Sequence, residues 1–331
     1  MEISVVGAGS WGTTLANLLG GKGCHVRLWV REPELLAEME QSGENPWFLP
    51  SIPLSRNIHP SSDLPGVVDS AAYILLVVPC QHLRRVLREA RGALPASPVI
   101  ICASKGIELE NLKPMSQIVE DELGHLSPRY AILSGPSFAK EVSRGLPTAV
   151  SLGCADKGLG HELQALFSTD AFRVYANEDY RGVELGGALK NVIAIATGIS
   201  DGLEFGLDAR AALITRGLAE MSRLGKAVGA NPATFMGLSG IGDLVLTCTG
   251  DLSRNRQVGL RLGRGEKLRS ILADMQMVAE GVKTAEAVFR WSMELGIELP
   301  ISEQVYRMLY EDKEPARAVE ELMRRELKDE Q

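Results

Sequence analysis

Aromatic side chains make up only 5% of these 331 residues, and cysteine and histidine appear five times each. The cysteines (Cys24, Cys80, Cys102, Cys154 and Cys248) form no CxxC pair and no regular framework. That excludes a disulfide scaffold and reads as reduced thiols of a cytoplasmic protein. The histidines are equally dispersed, with no HExxH, so no protein-held metal is expected. The longest apolar run, around Ala71–Cys80, is half of the roughly 20 residues a membrane span requires, so no integral membrane association is expected. The opening MEISVVGAGS has no basic segment, and glycine breaks its apolar run after residue 6. It reads as a first strand rather than a signal peptide. A basic surplus is missing too. Lys plus Arg number 35 against 42 Asp plus Glu, a net charge of −7, which argues against nucleic acid as a partner.

Glycine is what the sequence has in excess. Its 34 residues are about a tenth of the chain, against an average near 7%. Without low-complexity repeats, that many glycines imply a backbone that turns sharply or lets something come close. The length suits about two domains, and a mean hydropathy of +0.02 suits an ordinary globular core.

Short apolar runs alternate with helical stretches over the first 180 or so residues. Glu2–Val6, Cys24–Val30, Ala72–Val78, Pro98–Ala103, Tyr130–Leu133 and Thr148–Leu152 are candidate strands. Their nearly continuous apolar character is that of strands buried on both faces of a parallel sheet. A proline-rich excursion, Asn45 to Gly66, interrupts the alternation, and long loops of this kind are often functional. Beyond about Asn177 the pattern becomes helical, as in Val183–Ile199, Ala209–Gly229 and Val278–Leu295. Glu311–Gln331 reads as a solvated amphipathic helix with Val319, Leu322, Met323 and Leu327 on one side. The expected architecture is α/β: a Rossmann-type doubly wound sheet over residues 1–178, then an all-α domain over 179–331.

The first strand runs into Gly7-Ala8-Gly9-Ser10-Trp11-Gly12 and a following helix. In a dinucleotide-binding unit the first glycine makes the turn, the second admits the pyrophosphate, and the third lets helix and strand pack. The diphosphate then lies on free N–H groups at the positive end of the helix dipole. The residue ending the second strand selects the cofactor, an acid suiting the ribose 2′-OH and an arginine a 2′-phosphate. Arg31 stands there and favours NADP, while Glu32 and Glu34 keep NAD open. Arg31 as a plain solvated loop residue is the alternative.

Doubly wound sheets bind ligands outside the carboxyl ends of their strands. Two strands deliver Ser104-Lys105-Gly106 and Ser134-Gly135-Pro136-Ser137-Phe138-Ala139 to that edge. Lys105 suits a phosphate or a carbonyl, and Gly135 with Ser137 offers N–H and hydroxyl donors. In the sixteen residues Leu185–Ser200, Lys190 is the lone charge, set among Gly186, Gly187, Ala194 and Thr197. Either the glycines serve helix packing and Lys190 reaches for water, or a substrate lies there with Lys190 as proton donor and acceptor. Burial would lower its pKa toward a working range, and Asn191 could bond the same substrate. Asp243, after the glycines of Gly237–Gly242, either caps a helix or pairs with Lys190. Ser253-Arg254-Asn255-Arg256 opens a stretch, Gly250–Ser270, with six basic and two acidic residues. It is a phosphate cluster or a solvated basic helix. Val278 and Glu280 face a nucleotide or merely begin a helix.

Together these segments resemble the bacterial-type NAD(P)-dependent glycerol-3-phosphate dehydrogenase family. The resemblance rests on GAGSWGTTLA, NPWFLPSIPL, SKGIE, SGPSFAKE, VELGGALKNVIAIATGISDG, TRGLAEM, TFMGLSGIGDLVLTCT, SRNR and AEGVKT in order, from Gly7 to about Thr284. Cys80 and Asp208 depart from it, where serine and asparagine are usual. The resemblance implies reversible hydride transfer between dihydroxyacetone phosphate and sn-glycerol 3-phosphate, supplying glycerophospholipid synthesis, by a cytoplasmic homodimer. It implies Lys190 as the catalytic acid and base, with Lys105 and Asp243 beside it. Gly135, Ser137, Ser253, Arg254 and Asn255 would hold the substrate. Ser10, Trp11, Arg31, Lys105, Ala139, Arg254, Val278 and Glu280 would contact the nucleotide. Two rivals remain. A 3-hydroxyacid-type dehydrogenase would carry asparagine one turn after the lysine, where Ala194 stands, and a non-catalytic NADP-binding sensor would need no such lysine.

Overall fold

The computed structural model describes residues 1–331 except Gln276, Met277, Lys328, Glu330 and Gln331. Its first half is built on an eight-stranded sheet of β1 (Glu2–Val6), β2 (His25–Trp29), β3 (Ile58–Ser61), β4 (Tyr73–Leu76), β5 (Val99–Cys102), β6 (Arg129–Ser134), β7 (Thr148–Gly153) and β8 (Phe172–Asn177). The order across the sheet is β8-β7-β6-β5-β4-β1-β2-β3. Side chains alternate between two cores as a strand requires. Ile3 and Val5 of β1 and Val99 and Ile101 of β5 enter one core, while Val6, Ile100 and Cys102 enter the other. Both faces are covered, which is why these strands are apolar throughout.

The sheet differs from the expected one in three places. β6 and β7 pair antiparallel, Leu133 opposite Leu152, whereas every other pairing in the sheet is parallel. β3, inside the proline-rich excursion, contains Pro60, which an edge strand tolerates because one of its sides makes no ladder. β8 is the opposite edge, and its half-exposed residues lack the continuous apolar signature.

Six helices border the cleft between the sheet and the helical half: α1 (Ser10–Gly21), α2 (Cys80–Ala90), α3 (Tyr180–Gly202), α4 (Asp243–Thr249), α5 (Arg254–Gly263) and α6 (Glu280–Leu295). α3 is the axis of the helical half and is buried without a break from Gly182 to Ser200. By length and composition it could cross a membrane, yet its apolar window is wholly inside the fold. Asp179 caps it, accepting from the Gly182 N–H at 3.0 Å. α5 crosses α3 closely enough that a Cβ on Gly198 would come 2.1 Å from the Arg256 carbonyl oxygen. One on Gly259 would come equally close to the Ile195 carbonyl oxygen. Part of the glycine excess therefore belongs to this crossing.

The C-terminal helix is shorter than expected, Pro315–Met323. Ala318 is its buried residue, Met323 is 80% exposed, and Leu327 lies beyond its end, fully exposed. Of the apolar spacing there, Val319 and Leu322 are partly buried, while Met323 and Leu327 are left to solvent. The end of the expected helix, at Lys328, Glu330 and Gln331, falls outside the described residues.

Candidate active site

The carboxyl ends of the strands, the start of α1 and the helical half enclose a cleft of about 900 Å³. At one end β1 turns into α1 through Gly7, whose φ of +118° favours glycine. A Cβ on Gly12 would sit 1.9 Å from the Gly7 carbonyl oxygen, so helix and turn pack on bare backbone. On Gly9 a Cβ would meet nothing within 4 Å. The space over Gly9 opens into the cleft, and no side chain caps the first turn of α1. This cradle fits a pyrophosphate. Asn45 fixes its shape: buried completely, its amide donates to the Ala8 carbonyl oxygen and to Thr13 Oγ1, both at 2.8 Å.

At the other end three charged side chains from distant segments meet. Lys105 follows β5, whose loop is held by Ser104 Oγ donating to the Val78 carbonyl oxygen at 2.6 Å. Lys190 comes from the middle of α3, and Asp243 is the first residue of α4. Lys190 Nζ donates to Asp243 Oδ1, and Lys105 Nζ donates to Oδ2 at 2.8 Å. Lys190 is 7% exposed and Asp243 1%. Two ammonium groups thus share one carboxylate, leaving a net positive charge in a poorly solvated place, where it attracts an oxyanion or phosphate strongly. Burial lowers the Lys190 pKa to about 8; Asp243 opposes that fall and Lys105 adds to it.

Asp243 does not cap its helix, since Gly242 precedes it and the carboxylate is turned to the lysines. The glycines beside Lys190 serve packing rather than open space. A Cβ on Gly186 would strike the Ser239 carbonyl oxygen at 2.3 Å, and one on Gly187 would press on Ser134 Oγ at 2.5 Å and the Lys105 stem at 3.4 Å. Gly187 is what lets Lys105 lie across α3.

The basic stretch also separates into parts. Arg256 is buried and bound to Asp201 and Asp251, and Arg261 is bound to Glu266 and Asp274. Arg254 alone of these three faces the cleft, and although solvent reaches it there, the surrounding walls hold its pKa below the usual value. Ser253 caps α5, accepting from the Arg256 N–H at 3.2 Å. Asn255 Nδ2 donates to Asn191 Oδ1 at 2.8 Å, while its Oδ1 accepts from the Gly281 N–H at 2.9 Å. The two asparagines tie α3, α5 and α6 together at the cleft wall.

Ser137, Asn191, Ser253, Arg254 and Asn255 all line the same cleft as the lysines. So do Gly7, Gly9, Ser10, Trp11, Gly12, Arg31, Ala139, Val278 and Glu280. Gly135 stands behind, its carbonyl oxygen accepting from Lys105 Nζ at 3.4 Å and from Ser137 Oγ at 3.0 Å. Val278 is half exposed, and Arg31 is exposed and ion-paired with Glu32. Burial raises Glu280 to about 7, where it accepts from the Cys80 N–H at 3.3 Å. Sequence reasoning missed Asn45, His82, Arg85 and Thr247. Thr247 Oγ1 donates to the Asp243 carbonyl oxygen at 2.6 Å. The excursion contributes Phe48–Ile52 to the cleft mouth.

Residues 2–159 match the model of the NAD-dependent glycerol-3-phosphate dehydrogenase N-terminus, and residues 179–320 that of the C-terminus. A curated relative from Solidesulfovibrio magneticus, a glycerol-3-phosphate dehydrogenase [NAD(P)+], is 59% identical over 330 residues, covering 100% of both chains. One from Maridesulfovibrio salexigens, with the same name, is 60% identical over 328 residues, covering 99% of each. Among solved structures, a glycerol-3-phosphate dehydrogenase from Coxiella burnetii is 42% identical with a TM-score of 0.94, covering 98% of this chain and 99% of that one. A ketopantoate reductase from Ralstonia eutropha, 17% identical with a TM-score of 0.62 over 96% of this chain and 100% of that one, shares the fold alone. The chain belongs to the NAD-dependent glycerol-3-phosphate dehydrogenase family.

Proposed function

We propose that the chain interconverts dihydroxyacetone phosphate and sn-glycerol 3-phosphate with an NAD(P) cofactor, Lys190 moving the proton at the substrate C2 oxygen. The observation that carries this reading is the buried Lys190–Asp243–Lys105 constellation in the same cleft as the glycine cradle. A bound nicotinamide supplies the hydride to C2 or takes it away. In reduction the Lys190 ammonium donates a proton to the carbonyl oxygen, and in oxidation the neutral amine takes it back. Asp243 aims Lys190 and keeps it mostly protonated near neutral pH, while Lys105 adds positive charge for the developing alkoxide. Arg254 binds the substrate phosphate, orienting the face of C2 toward the cofactor, with Ser253, Asn255, Asn191, Ser137 and the Gly135 turn shaping that end.

Gly7, Gly9, Ser10, Trp11 and Gly12 would hold the cofactor's pyrophosphate, and Ala139, Lys105, Arg254, Val278 and Glu280 would contact the nucleotide. Arg31 favours NADP. We take residues 1–178 as the cofactor unit and 179–331 as the catalytic unit, acting as a cytoplasmic homodimer whose product supplies glycerophospholipid synthesis. One spectrophotometric assay tests the reading, following NADPH and NADH oxidation with dihydroxyacetone phosphate. Turnover with NADPH preferred is expected, and inactivity with both cofactors would refute it. Arg254→Ala should raise the KM for dihydroxyacetone phosphate by about tenfold or more, as loss of a charged hydrogen bond does.

A further inference from the structure

The cation that answers a 2′-phosphate is not settled by Arg31, because that guanidinium is already bound to the neighbouring Glu32 carboxylate. The pair is close to neutral, and Glu32 is the kind of acid that accepts from a free ribose 2′-OH. A second source of positive charge lies across the cleft mouth. β1 is flanked in the sheet by β2, which ends at Trp29 two residues before Arg31, and by β4, which leads into α2. On α2 the residues lining the cleft are spaced at helical intervals: Pro79 just before it, then His82, Arg85 and Val86. Arg31, Glu32, His82 and Arg85 therefore border one mouth, at the ribose side of the cradle.

Among the described residues neither Arg85 nor the His82 ring has a hydrogen-bond or ion-pair partner, whereas the next arginine inward, Arg84, is bound to Glu108, Asp121 and Glu122. Burial first, and then the Arg85 and Arg31 guanidinium groups, hold His82 below its usual range. Both arginines thus act on the same imidazole, which places all three within electrostatic reach of one another. An uncompensated guanidinium beside a polarisable imidazole is a receptor for a phosphate monoester.

We propose that Arg85, seconded by His82, binds the 2′-phosphate of NADP, while the Arg31–Glu32 pair serves the unphosphorylated ribose of NAD. This rests on the NADP preference put forward above, but moves its source from Arg31 to Arg85. It explains how one mouth takes both cofactors: each finds its own partner on opposite walls.

Calorimetry on the full chain with adenosine 2′,5′-bisphosphate and 5′-AMP tests it without turnover. The wild type should bind the bisphosphate more tightly, and Arg85→Ala should cut that margin about tenfold or more, the loss of a charge-assisted hydrogen bond. Its affinity for 5′-AMP should stay within about twofold, since only the 2′-phosphate contact is lost. His82→Gln should lose part of the margin. Equal weakening of both nucleotides would mean that Arg85 stacks on the adenine, and would overturn the proposal. So would an Arg85→Ala margin equal to that of wild type, which leaves the NADP preference standing on Arg31. No margin in the wild type would remove the NADP preference itself, and this subsite with it.

Discussion

Lys190 and Asp243 form a buried ion pair whose carboxylate reaches Lys105 with its second oxygen. One acid holds two bases, and the consequences are directional.

The first concerns pH. Burial brings Lys190 to about 8, against the upward pull of Asp243. Reduction needs the ammonium, so its kcat/KM should fall as pH rises through about 8. Oxidation needs the amine, so its kcat/KM should fall as pH drops below that value. Asp243→Asn removes the upward pull and should move both midpoints down. Profiles measured in the two directions that keep their midpoints in Asp243→Asn would contradict the pairing.

The glycine cradle separates packing from ligand binding. Gly12→Ala places a methyl 1.9 Å from a backbone oxygen, so thermal unfolding should show a loss of about 1–3 kcal/mol, as overpacking does. Gly9→Ala meets no protein atom within 4 Å and should leave the melting curve nearly unchanged. Its methyl would project into the proposed pyrophosphate cradle, so NADPH binding followed by calorimetry should weaken strongly. Unimpaired binding in Gly9→Ala would place the diphosphate elsewhere.

Glu280 gives a stability test. Its carboxyl is raised to about 7 by burial, so the favourable neutral form is fully present below the unfolded pKa and is lost as pH rises through about 7. Above that, a partly desolvated carboxylate costs stability. Glu280→Gln carries no such charge, and its Tm advantage should grow between pH 6 and pH 8.5, by on the order of 1 kcal/mol after allowance for partial solvent access. A constant difference across that range would mean that Glu280 ionises freely.

Much of this was legible in the sequence for physical reasons. Central strands buried on both faces announce themselves as apolar runs, and Gly7, Gly9 and Gly12 carry a spacing that backbone geometry imposes. Lys190 was visible because a lone charge in an apolar helix has few places to go. The edge strands Ile58–Ser61 and Phe172–Asn177 were not, since half-exposed strands need no such run. Nor was the reason for Gly186 and Gly187, which depends on what the fold brings against α3. The partnership of Arg256 with Asp201 was hidden by 55 residues of separation, and it removed one cation from an apparent phosphate cluster. Asn45 was hidden in the same way, being 37 residues from Ala8.

The central claim is that Lys190 moves the proton at C2, and Lys190→Ala tests it most directly. The measurement is kcat for NADPH-dependent reduction of dihydroxyacetone phosphate, with NADPH affinity determined on the same variant. Loss of a general acid predicts a fall of about 10²–10⁴ in kcat. NADPH affinity should be nearly intact, because the cradle lies at the far end of the cleft. Undiminished turnover in Lys190→Ala would contradict the account.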